Sequence, residues 1–94
     1  MALARVVTFE GVTDERAAEL SREIEDGELP EGLPATEVIV LHDPEAETAI
    51  AILFFESDAD YEQGHAVLDA MPGPDTPGRR TSVRKHHVAA RRSS

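Results

Sequence analysis

A tyrosine and a histidine four residues apart are the side chains of this sequence best suited to chemistry. Tyr61 and His65 lie one turn apart in a segment with helical periodicity that begins after Ser57. A histidine beside a phenol, at the edge of an apolar helix face, is able to exchange protons with a small apolar molecule. Each residue also has a simpler interpretation, as a hydrogen-bonded histidine and as a core or rim aromatic. Both are candidates for lining a ligand pocket.

Two further histidines are adjacent in the sequence. His86 and His87 fall in a segment with strand character, so their side chains point to opposite faces of a sheet and do not chelate one ion together. One of them is expected to face the helices, beside Tyr61 and His65, and the other to face away. Together with His42 they show no metal-ligand spacing, so neither a metal site nor any other cofactor is predicted.

The charges are divided unevenly along the chain. The 94 residues carry a formal charge of −10, of which residues 1–78 hold −16 and residues 79–94 hold +6. An acidic body repels nucleic acid and anionic membranes, so neither is an expected partner, and the basic segment is expected to contact its own body or that of a second copy. Arg79 and Arg80 are interpreted either as an anion site or, preferably, as the charged start of an edge strand. The absence of cysteine and of any signal or membrane-spanning segment indicates a cytoplasmic protein.

The chemistry-bearing residues must be positioned by six predicted elements that together make one domain over residues 1–94. Helix starts are predicted at Thr13 and Ser57, which are residue types that cap helices. The predicted strands cover residues 3–9, 37–41, 48–55 and 81–90, and residues 91–94 are expected to be a flexible tail. This βαββαβ order predicts a ferredoxin-like α+β fold, with a four-stranded antiparallel sheet and both helices on one face.

The third strand is apolar on both faces. Seven of the eight residues from Thr48 to Phe55 are apolar, so both sides of the sheet need cover and the helices supply it on one side only. We therefore expect a homodimer whose sheets pack face to face. Candidate interface residues come from the second and third strands, namely Val38, Val40, Ile50, Ile52 and Phe54.

The element order, the two-sided third strand and the helix start at Ser57 together resemble the dimeric α+β barrel superfamily, which includes antibiotic-biosynthesis-monooxygenase-like and stress-responsive barrel proteins. This resemblance implies a homodimer with a barrel-like core and a small-molecule pocket between sheet and helices. The asparagine and tryptophan associated with cofactor-independent monooxygenases are both missing from the sequence, and no residue matches an iron-binding histidine. No catalytic residue is transferred from the family.

Two functions remain open from the sequence, which does not decide whether the protein is an enzyme. The first is binding of a small apolar compound, or monooxygenase-like chemistry on it without a cofactor, with Tyr61, His65 and one of His86 or His87 lining the pocket. The second is a non-catalytic interaction or regulatory module, including one that senses a ligand. A polar cavity containing His65 favours the first, and a closely packed interface between helices and sheet favours the second.

Overall fold

The computed structural model of the chain describes residues 2–26, 32–70 and 78–92. Its element order is strand, helix, strand, strand, helix, strand, as predicted. The elements are β1 Leu3–Glu10, α1 Asp14–Glu25, β2 Glu37–Asp43, β3 Thr48–Phe55, α2 Asp58–Asp69 and β4 Arg79–His87.

The four strands form one sheet in the order β2-β3-β1-β4, and every neighbouring pair is antiparallel. This is the predicted ferredoxin-like arrangement. A short turn joins β2 and β3, and the Asp43 carboxylate accepts hydrogen bonds from the backbone N–H groups of Glu45 and Ala46 within it. Glu47 closes the turn with a φ of 55°. The expected hairpin between the second and third strands is confirmed.

Both predicted helix caps are formed. The Thr13 hydroxyl accepts a hydrogen bond from the Arg16 backbone N–H, and the Ser57 hydroxyl accepts one from the Asp60 N–H. Acidic residues in the first turn of each helix add a favourable interaction with the helix dipole. Within the described residues, neither helix is long and apolar enough to cross a membrane.

The helices lie on one face of the sheet, here called the covered face. The core between them consists of two groups of buried side chains, which share Ala51 as a neighbour. The first group is Leu3, Leu53, Phe55 and Tyr61, and the second is Val7, Phe9, Val12 and Ala49. Leu68 of α2 packs against the first group and Ala17 of α1 against the second, so each helix has its own part of the core.

The opposite face, here called the open face, is covered by neither helix. Ile50, Ile52 and Phe54 of β3 lie on it, as predicted, because they alternate with the buried Ala49, Leu53 and Phe55.

The expected grouping of Val38 and Val40 with these residues is wrong. In the hairpin register Val38 lies opposite Leu53 and Val40 opposite Ala51, so both belong to the covered face. Ile39 and Leu41 take their places on the open face, since they lie opposite Ile52 and Ile50.

The last strand differs from its predicted bounds at both ends. β4 begins at Arg79 rather than residue 81, because Arg79 and Arg80 pair with Glu10 and Phe9 beyond a bulge. It ends at His87 rather than residue 90, since β1, which it pairs with in the described sheet, begins at Leu3. Arg91 is held by contacts with Phe54 and Glu37, in contrast to the expected flexible tail. Residues 93 and 94 lie outside the described residues.

Helix α2 approaches the sheet most closely at Gly64. A Cβ atom added there would lie 2.6 Å from Cζ of the Phe55 ring, which is far inside van der Waals contact. Phe55 is fully buried, so its ring has no free space to move into. The glycine therefore sets the distance between α2 and β3.

The substitution Gly64→Ala is expected to destabilise the fold. Alanine gains about 1 kcal/mol over glycine from helix propensity, but overpacking against a buried ring costs about 1–3 kcal/mol. We expect a net loss of about 1 kcal/mol in the free energy of unfolding, measured by urea denaturation. Ala66→Gly, at an exposed position of the same helix, measures the propensity contribution alone. A Gly64→Ala protein more stable than the parent would contradict the close approach.

Candidate functional site

The candidate site lies between α2 and the covered face of β1 and β4. Tyr61, His65 and Asp69 are spaced by four residues, which places them in a line along one side of α2. The rings of Tyr61 and His65 are stacked, with centroids 6.1 Å apart and planes within 10° of parallel. The predicted proximity of these two side chains is confirmed. In the structure, Arg5 of β1 and Arg80 of β4 contact His65 and Asp69 and complete a polar cluster.

The centre of this cluster is Arg5, a charged residue within the covered face. Its side chain is only 3 % exposed, and it stands in the alternation between Leu3 and Val7 of β1. The Arg5 Nε–H donates to Nδ1 of His65 over 3.2 Å, and a terminal guanidinium nitrogen donates to Oδ1 of Asp69 over 3.3 Å. Burial lowers the pKa of Arg5, and the Asp69 charge opposes that shift. A buried guanidinium requires such partners, since an unpaired charge here would be strongly destabilising.

Asp69 is the anion of the cluster and contacts three side chains. Besides Arg5, its Oδ1 accepts from Arg80 over 3.0 Å, and its Oδ2 lies 3.0 Å from Nε2 of His65. Partial burial acts to raise the pKa of Asp69, but the hydrogen bond from Arg80 and the charges of His65, Arg80 and Arg5 lower it by more. The pKa therefore lies below the ordinary aspartate value. Asp69 is thus an anion held in a site made of cations.

The hydrogen bond from Arg5 defines the tautomer of His65. Because Arg5 donates to Nδ1, that nitrogen carries a lone pair, and the proton of a neutral imidazole resides on Nε2, facing Asp69. Both ring nitrogens are therefore engaged within the protein. For His65 to act as a base on a bound molecule, the Arg5 contact must first break. For it to act as an acid, the Asp69 contact must break.

At the other end of α2, Lys85 of β4 covers Tyr61. Its Nζ lies 4.8 Å from the ring centroid and 2.9 Å from Oδ1 of Asp58. The hydrogen bond from Lys85 lowers the pKa of Asp58. Burial raises the pKa of Tyr61, although the positive charges of Arg5 and Lys85 act in the opposite direction, so the phenol is protonated at neutral pH. Neither the Asp58 carboxylate nor the Tyr61 phenol is therefore suited to removing a proton from a substrate.

The remaining histidines lie apart from this cluster. His87 shares the covered face with Lys85 and lies opposite Leu3, but it is exposed. His86 lies on the open face, where it lies opposite Ala4, so it cannot join a site with His65. The expected division of the pair between the two faces is confirmed. His42 hydrogen-bonds through Nε2 to the Val12 carbonyl over 3.0 Å. Across residues 2–26, 32–70 and 78–92, no group of three or more histidine or acidic side chains is placed to hold a metal ion.

Arg5, Asp69 and the inward role of Arg80 were not predicted from the sequence. A usable signal existed for Arg5, because a single arginine interrupts the apolar alternation of Leu3, Val7 and Phe9. Asp69 is four residues after His65 and so shares its helix side. The basic segment does contact its own body, as expected. Its ion pairs include Arg79 with Glu10, Arg80 with Asp69, Lys85 with Asp58 and Arg91 with Glu37.

Comparisons with known proteins assign neither a family nor a relative. No family model matches the sequence, and neither the curated proteins nor the solved structures contain a match.

Asp69→Asn is expected to destabilise the protein because it leaves Arg5 buried without its negative partner. The loss should be about 1–2 kcal/mol, below the 3–5 kcal/mol of a fully buried pair, because Asp69 is 42 % exposed and solvent screens it. Asp58→Asn is the control, since it removes an exposed ion pair of the same helix and should cost less. Urea denaturation of the three proteins measures the difference.

The difference in stability between the parent and Asp69→Asn has a predicted pH dependence. Because the pKa of Asp69 is lower in the folded than in the unfolded chain, its stabilisation is fully present above the ordinary aspartate value of about 4. It is lost as the pH falls through the lower, folded-state value. The advantage of the parent over Asp69→Asn should therefore shrink below about pH 4. An advantage that stays constant down to pH 2 would contradict the pairing.

Proposed function

We propose that this chain is a non-catalytic interaction module that works as a homodimer, with its two sheets packed through their open faces. The observation that supports it is the exposure of large aliphatic side chains on that face. Leu41 is 53 % exposed, and Ile39 and Ile50 are each 36 % exposed. They are neighbours on β2 and β3, so water faces a contiguous apolar surface. Removing such surface from water stabilises an association by about 25 cal/mol for each Å² buried.

The open face carries charge of opposite sign at its two edges. Its residues form four cross-strand rows, each running from β4 through β1 and β3 to β2. From the Phe54 end, the rows are His86, Ala4, Phe54 and Glu37; Arg84, Val6, Ile52 and Ile39; Ser82, Thr8, Ile50 and Leu41; and Arg79, Glu10, Thr48 and Asp43. The β4 edge thus presents two arginines and a histidine, and the β2 edge presents two carboxylates.

This charge distribution favours a second copy of the chain as the partner. In a two-fold dimer with its axis parallel to the strands, β4 of one protomer lies over β2 of its partner, so the basic edge meets the acidic edge. An axis across the strands would instead place the two basic edges over one another. Among the described residues Arg84 has no ion-pair partner in its own chain. The parallel axis brings it towards the acidic edge of the partner.

The polar cluster beneath α2 favours a module over an enzyme. Both nitrogens of His65 are engaged by Arg5 and Asp69, and Tyr61 is a buried phenol with a raised pKa. Gly64 and Phe55 are closely packed beside them. These features support a cluster that neutralises buried charge more than one that binds a small apolar molecule. The face-to-face dimer is also what the resemblance to dimeric α+β barrel proteins implies. We assign it to the cytoplasm, for which the cysteine-free sequence is the supporting observation.

Leu41→Glu is expected to abolish the dimer without unfolding the protomer. The residue is half exposed in the isolated chain, so the substitution should change the free energy of unfolding of the protomer by no more than about 0.5 kcal/mol. In the dimer, the same carboxylate would be buried against apolar side chains, which should raise the dissociation constant at least about a hundredfold. Light scattering after size-exclusion chromatography measures the mass of parent and variant.

The control for this experiment is Ala18→Glu, which adds the same charge at an exposed position of α1. It should leave the mass at twice that of the chain. A parent protein that has the mass of one chain throughout the micromolar range would rule out the proposed dimer. A dimer that Leu41→Glu leaves intact would place the interface elsewhere.

A further inference from the structure

The chain that follows β4 turns onto the open face. The Val88 backbone N–H donates to the carbonyl of Ala2, the residue just before β1, over 2.9 Å. Three residues later, Cζ of Arg91 lies 4.4 Å from the centroid of the Phe54 ring, and the Arg91 guanidinium forms an ion pair with Glu37. Residues 88–92, here called the strap, therefore extend from the β4 edge towards the β2 edge.

The strap covers one end of the open face and leaves the rest exposed. Phe54 and Glu37 are neighbours in the first cross-strand row, which also contains Ala4. Ala4 is only 6 % exposed although no helix lies on its side of the sheet. Two rows further along, Ile50 is 36 % and Leu41 is 53 % exposed. The cover is thus confined to the row that Arg91 reaches.

We propose that the strap is an autoinhibitory segment that competes with the partner protomer for the Phe54 end of the open face. This inference rests on the proposed dimer. An axis parallel to the strands places the Phe54 ends of the two sheets opposite each other, so both straps would occupy the same space. Packed sheets are about 10 Å apart, and their own side chains fill that space. The two open faces pack fully against each other only when both straps have been displaced.

The contacts that hold the strap are weak enough to be displaced. Arg91 is 45 % exposed and Glu37 is 42 % exposed, so water screens their ion pair, and the cation–π contact with Phe54 lies at the surface. Together they favour the closed strap by about fivefold in each protomer. Because two straps are released for each dimer formed, removing their contacts should tighten dimerisation by about twentyfold.

The test compares Arg91→Ala with Arg92→Ala. The two variants lose the same charge at adjacent exposed positions, but only Arg91 contacts Phe54 and Glu37. Dissociation constants are measured by sedimentation equilibrium of the full-length proteins over a concentration series. We expect Arg91→Ala to dimerise about twentyfold more tightly than Arg92→Ala.

The outcomes separate the strap from the dimer itself. Equal dissociation constants for Arg91→Ala and Arg92→Ala would overturn the strap and leave the dimer standing. Weaker dimerisation of Arg91→Ala would also overturn it, because Arg91 would then belong to the interface. If every variant has the mass of one chain at all concentrations, both proposals are wrong. Tighter dimerisation of Arg91→Ala than of Arg92→Ala supports both the strap and the dimer.

Discussion

Strand β3 presents apolar side chains on both faces of the sheet, and the two helices cover only one of those faces. This constraint governs the rest of the structure. Phe55 and Leu53 are sealed beneath α2, and the close approach at Gly64 fixes that layer. Ile50 and Ile52 alternate with them and so lie on the opposite side, beside Ile39 and Leu41. Among the described residues, no further helix or strand covers them. The arrangement therefore favours a partner.

The charged side chains also differ between the two faces of the sheet. On the covered face, a single buried guanidinium is balanced by one carboxylate, and it donates hydrogen bonds to that carboxylate and to one imidazole. Such a cluster is easily taken for an active site, because it contains a histidine, an aspartate and a nearby tyrosine. Its hydrogen bonds explain it more simply as the neutralisation of Arg5. On the open face, Arg79 pairs with Glu10 and Glu37 pairs with Arg91, whereas Arg84 of the β4 edge has no ion-pair partner among the described residues.

Much of the fold could be predicted from local sequence signals. A continuous apolar run indicated the position of β3, and the caps at Thr13 and Ser57 indicated the helix starts. The face of β2 was misassigned because period-two alternation defines two sets of residues without saying which set the helices cover. The pairing of Asp43 with Thr48 decides which set of β2 residues faces the helices, and this register exists only once the hairpin is formed.

The site was predicted less completely than the fold. Tyr61 and His65 were found because they lie one helical turn apart, which is a local relation. Arg5 is 60 residues from His65 in the chain, so no local pattern connects them. The turn of Arg91 onto Phe54 also joins residues that are remote in sequence, and it depends on where β1 begins. Contacts of this kind arise from the assembled sheet.

The central claim is that the open faces of two protomers meet with β4 over the partner's β2. The most direct measurement is an isotope-filtered nuclear Overhauser experiment on a mixture of labelled and unlabelled protein, which detects only contacts between protomers. The account predicts signals from the methyl groups of Ile39 and Leu41 to residues of β4 in the other protomer. Contacts confined to the helices, or no contacts between protomers at millimolar concentration, would contradict it.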